Sequence, residues 1–67
     1  MNEFQQHFRK TYGAGAAVIN KIERAVEIAK QIDNEDLTNF EEFVELINYL
    51  QDYGVSDPTK LIENWHQ

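Results

Sequence analysis

The stretch Ile32–Phe43, IDNEDLTNFEEF, is where one long helical pattern gives way to another. Thr38 followed by Glu41 forms a capping box, in which hydroxyl and carboxylate each satisfy an unpaired backbone donor at a helix start. Leu37 and the acids Glu41 and Glu42 fit the same start. Asp33, Asn34, Glu35 and Asp36 make a solvated polar connection before it. One helix therefore ends near Asp33 and the next begins near Leu37. The two pair antiparallel across residues 33–37.

Upstream, Val18, Ile22, Ala25, Ala29 and Ile32 follow each other at spacings of four and three. Ile19 and Val26 widen this stripe, as expected of a helix facing a core. Lys21, Glu23, Arg24, Glu27, Lys30 and Gln31 fall largely on the other side. Downstream, Phe40, Phe43, Val44, Ile47 and Leu50 form one apolar stripe, with Leu46 and Tyr53 at its edge. Gly54 stops that helix.

Two shorter helices flank the pair. Phe4, Phe8 and Tyr12 recur every four residues and share a face, with Asn2 as a cap and Glu3 in the first turn. In SDPTKLIENWHQ, Ser56–Gln67, Ser56 or Asp57 caps and Pro58 takes the first helical position. Leu61, Ile62 and Trp65 line one side. No segment alternates with period two, so no sheet is expected. The expected fold is all-α: a compact bundle of four helices, short, long, long, short, over residues 2–12, 15–33, 37–53 and 58–66. One domain spans 1–67.

The glycines of TYGAGAAVINKI, Thr11–Ile22, raise the question of a phosphate-binding loop. A dinucleotide fingerprint needs a third glycine where Val18 stands, and a preceding strand. A P-loop needs Gly-Lys-Ser/Thr, and Asn20-Lys21-Ile22 does not supply it. The stretch reads as a tight turn between helices. Gly13 takes a left-handed cap, and Gly15 with Ala14, Ala16 and Ala17 allows close backbone approach.

Other chemistries lack their parts. There is no cysteine, which excludes disulfides and thiolate zinc sites. The acidic connection starts like a calcium loop, but Leu37 and Val44 occupy the fifth and twelfth positions, where oxygen ligands belong. Glu63 and His66 form a single Glu-x-x-His, short of a di-iron set. No metal and no cofactor are expected. His7 and His66 lie near opposite ends of the chain, and Ser56, the one serine, sits where a cap is wanted. The expectation is a protein that is not an enzyme.

Charge is informative because it is uneven. Residues 1–30 carry five basic residues and three acids, a net +2; residues 31–67 carry nine acids against Lys60, a net −8. An acidic half of this kind repels phosphate backbones and attracts basic surfaces. A DNA-binding helix-turn-helix is disfavoured for the same reason, since the best candidate recognition helix carries Glu41, Glu42 and Glu45. No apolar run approaches the ~20 residues of a membrane span, and MNEFQQHFRK is not of the secretory type. A cytoplasmic, soluble protein with no membrane or nucleic-acid partner is expected.

At steps of about 100° per residue, Glu41, Asp52, Glu45, Tyr49 and Glu42 fall in one arc opposite the Phe40–Ile47 stripe. Four acids around a solvent-facing tyrosine make a docking surface for a protein with a basic surface, as an inhibitor or nucleic-acid mimic. The alternative is a structural or regulatory homodimer. It would be held by apolar surface of the first and fourth helices, if Phe4, Phe8, Tyr12, Tyr53, Trp65 and Ile28 do not all fit inside.

Overall fold

The second helix, Ala16–Asp33, organises the rest; it is α2 in the chain order α1 (Glu3–Tyr12), α2, α3 (Phe40–Tyr53) and α4 (Pro58–Asn64). Val18, Ile22, Ala25, Val26 and Ile28 are buried on α2, and Ile19, Ala29 and Ile32 pack against them. An apolar arc this wide serves more than one neighbour. α3 and α4 both pack on α2 and on each other. This also places Ile28, named above among the side chains in question for the interior, at the fully buried centre.

This computed structural model describes residues 2–66, so Met1 and Gln67 of the expected 1–67 domain lie outside the described residues. Among the described residues there are four helices and no strand. The radius of gyration is 11.5 Å, close to the ~11 Å of a compact chain of this length.

α2 and α3 run antiparallel. Lys21 lies over the Tyr49 ring, Arg24 pairs with Glu42, and Gln31 accepts a hydrogen bond from Asn39, so partner numbers fall as α2 ascends. The turn between them departs from the expected capping box. Asp36 Oδ1 accepts the Thr38 hydroxyl at 2.6 Å and the Thr38 N–H at 3.0 Å. An ionised carboxylate two residues upstream is a strong acceptor, and it draws Thr38 into a local turn. α3 therefore starts at Phe40 rather than Leu37, with Asn39 at its N-cap making no side-chain cap bond.

α1, α2 and α3 end alike. A residue with positive φ follows each helix: Gly13 at 63°, Glu35 at 64° and Gly54 at 115°. The next amide then reaches back five residues, Ala14 to Arg9 O at 3.1 Å, Asp36 to Gln31 O at 2.9 Å and Val55 to Leu50 O at 3.0 Å. The left-handed residue lets the chain recover carbonyls that the helix leaves unpaired. Gly15 instead caps the start of α2 in extended geometry, and nothing stands within 4 Å of where its Cβ would be. The expected close approach there does not occur.

α1 docks through side chains. Asn2 caps it by accepting the Gln5 N–H at 2.9 Å. Phe8 and Phe4 meet Trp65 edge to face, with ring centroids 5.7 and 6.3 Å apart. Gln5 Nε2 donates to the Trp65 carbonyl at 2.7 Å, and Asn2 Nδ2 donates to the same oxygen at 3.3 Å. At the other end of α1, the Tyr53 hydroxyl donates to Tyr12 O at 3.0 Å. Asp57 caps α4 by accepting the Lys60 N–H at 3.2 Å, with Pro58 in the first turn. α4 stops at Asn64 rather than residue 66, and Trp65 sits fully buried just beyond it.

Candidate functional site

The outer surface of α3 divides into three rows once the core side is fixed. Leu46 and Leu50 are buried, while Phe43, Ile47, Tyr49 and Tyr53 pack half-buried around them. The inward direction thus passes between Leu46 and Leu50, not through the expected Phe40–Val44–Leu50 stripe. Phe40 and Val44 are exposed. The reason lies in the neighbours: α2 packs on the Glu42–Tyr49 flank, drawing Leu46 from the edge of the stripe to its centre.

On that flank the chain neutralises part of its own charge. Arg24 Nε donates to Glu42 Oε2 at 2.7 Å, and Nη2 donates to Oε1 at 3.1 Å. These hydrogen bonds hold the Glu42 carboxyl below the ordinary glutamate range against the opposing effect of burial, and they raise Arg24. Glu27 adds a weaker contact to Arg24 at 3.6 Å. Tyr49 is half-buried rather than solvent-facing. Lys21 Nζ stands 4.8 Å from its ring centroid, and Tyr53 stacks on it at 6.4 Å. A cation over an aromatic face is attracted by the ring quadrupole.

Glu41, Glu45 and Asp52 form the second row. They stand four and seven residues apart on the exposed side and make no ion pair among the described residues. Of the five residues expected to make the site, these three share one solvated face. Glu42 and Tyr49 lie around the helix, against α2.

The third row is Phe40 and Val44, continued by Leu37 just before the helix; sequence reading assigns Leu37 to the helix start and the other two to the core. One signal was available. The apolar arc from Leu46 round to Val44 covers ~160° of α3, more than its neighbours could bury.

Elsewhere, Phe4, Phe8, Tyr12, Val55 and Leu61 wall a groove of about 330 Å³ between α1 and α4. Its rim mixes Lys60 with Asp57 and so carries no single sign of charge. Phe8, Leu61, Ile62 and Trp65 are buried within one copy, which leaves Phe4 and Tyr12 as the exposed large apolar residues of α1. Near the C-terminal end, Glu23 accepts the Trp65 indole N–H at 3.1 Å and lies 3.1 Å from His66 Nε2. His66 thus meets Glu23, not Glu63. No cluster of three or more metal-ligating side chains occurs among the described residues, and no helix there is long and apolar enough to cross a membrane.

The fold and this face define a small all-α bundle with an acidic outer side on its third helix. Comparison with protein-family models, curated proteins and solved structures finds no match.

Proposed function

We propose that this protein is a non-enzymatic binding module of the cytoplasm that docks the outer face of α3 on a positively charged surface of another protein. The carrying observation is the row Glu41, Glu45 and Asp52, exposed and unmatched although the same chain matches Glu42 with Arg24. Like charges on one face cost a helix stability. A basic partner offsets that cost and gains association rate from the field. A partner whose basic surface normally holds nucleic acid would be blocked, which makes the module an inhibitor or nucleic-acid mimic.

A homodimer through α1 and α4 has less support, because most of the apolar surface it would use is already spent inside one copy.

Affinity capture from the source cell's lysate at low and high salt, followed by mass spectrometry, tests the reading. The partner should be basic and should be lost at high salt, since exposed charges are screened beyond ~8 Å at physiological ionic strength. Glu45→Lys with Asp52→Lys should abolish capture. A partner retained at high salt and by this variant ends the proposal. Displacement of nucleic acid from the captured partner then tests the mimic step.

A further inference from the structure

Leu37, Phe40 and Val44 are the three most exposed large apolar residues described, at 62%, 48% and 42% of full exposure. Phe40 and Val44 stand four residues apart on one side of α3, and Leu37 is exposed just before the helix starts. Their exposure has an architectural cause. α4 has seven residues and α3 fourteen, so at 1.5 Å per residue α4 covers at most ~10 Å of a helix ~21 Å long. Apolar side chains gathered in one exposed row mark a partner surface more often than the same residues scattered.

The charged residues next to the row on α3 and in the turn before it are acidic. Glu41 and Glu45 flank it on α3, and Glu35 and Asp36 are exposed in the turn beside Leu37. α3 carries no lysine or arginine. We infer that this strip seats an amphipathic, cationic helix of another protein, an inference that rests on α3 being the docking face. Apolar side chains of that helix lie on Leu37, Phe40 and Val44, and its lysines or arginines meet Glu41, Glu45 and Asp36. Phe40 and Val44 lie ~6 Å apart along α3 and Leu37 extends the strip beyond the helix start, a strip one side chain wide that suits the i, i+3/i+4 anchors of a single helix. An added strand would need a free backbone edge, which a helix does not offer. A second copy would bring two acidic borders together with no base between Gln31 and Thr59 to separate them. Nucleic acid and anionic membranes are repelled by the same field.

The test titrates a synthetic helix into the isotope-labelled full chain, followed by amide NMR shifts. The probe is a blocked alanine-based peptide of about 16 residues with leucines at helical spacing flanked by lysines. A scrambled peptide of the same composition is the control. Saturable shifts should centre on residues 36–48, and the scrambled peptide should not produce them. Phe40→Ser with Val44→Ser, both at exposed sites, should keep the fold by circular dichroism and weaken binding about tenfold or more. If that variant binds the probe unchanged while Glu41→Lys with Glu45→Lys weakens it, the apolar seat is wrong and the acidic docking face stands. If the charge reversal is without effect, the docking-face reading falls and this inference with it. No saturable binding, or shifts confined to the α1–α4 groove, overturns the inference. So does light scattering showing a dimer that Phe40→Ser with Val44→Ser dissociates, because the occupant would then be a second copy.

Discussion

Arg24 grips Glu42 with two hydrogen bonds, 2.7 and 3.1 Å long, and so ties α2 to α3 on one flank of the acidic helix. The pair separates the acids of α3 into one that belongs to the fold and three that face solvent. This division governs how charge changes should act on the protein.

Glu42 is held below the ordinary glutamate range by the Arg24 hydrogen bonds. A carboxyl lowered in the folded state binds fewer protons there than when unfolded, so its contribution is complete above the ordinary range. It is lost as pH falls through the lowered folded value. Asp36 behaves in the same way, held down first by the Thr38 hydroxyl and then by the Thr38 N–H. Urea unfolding of the parent and Glu42→Gln at neutral and strongly acid pH should show a stability difference that shrinks in acid. A difference independent of pH would contradict the pairing.

Glu35 occupies a left-handed position that glycine fills in the equivalent turns after α1 and α3. Glu35→Gly should therefore raise stability by about 1 kcal/mol, the usual cost of this conformation for a residue with a Cβ. Gly54→Ala should lower it by a similar ~1 kcal/mol. No atom lies within 4 Å of the Cβ it would add, so the effect is one of backbone alone. The urea midpoint at constant m-value reports both. Glu35→Gln separates loss of charge and should move the midpoint far less than the glycine.

The rotation of α3 can be read from stability alone. Leu50→Ala should cost ~2–5 kcal/mol, since Leu50 is fully buried. Phe40→Ser and Val44→Ser, at exposed sites, should stay within about 0.5 kcal/mol. Equal losses at Val44 and Leu50 would restore the stripe read from the sequence.

Trp65 joins the C-terminal end of the chain to α1 and α2. Removing its buried ring in Trp65→Ala should cost ~3–5 kcal/mol, enough to unfold much of so small a domain at room temperature. Trp65→Phe keeps an aromatic ring but loses the N–H donated to Glu23. It should unfold cooperatively at a lower temperature by circular dichroism, between the parent and the alanine variant. Trp65→Ala with an unchanged melting curve would mean that the ring is not buried.

Local chemistry was legible in the sequence wherever a feature needs only its near neighbours. Gly13 and Gly54 end their helices in left-handed geometry, Asn2 caps α1, one of the two caps read for α4, Asp57 rather than Ser56, is used, and the spacing of α2 marks it as a core-facing helix. Thr38 is the instructive exception. Its hydroxyl had two local partners in reach, the Glu41 backbone N–H, from which it would accept, and the Asp36 carboxylate, to which it donates, and pattern alone does not rank them.

By itself, the sequence determined four helices, their order, and an acidic second half, because periodicity, caps and charge are written along one strand of residues. Only the tertiary structure decided which way α3 turns. The rotation of roughly a quarter-turn that buries Leu46 and exposes Phe40 and Val44, the grip of Arg24 on Glu42 and the lysine over Tyr49 depend on which neighbours arrive on which flank. A helix with an apolar arc wider than its partners must leave part of that arc in water, and packing between distant segments selects the part.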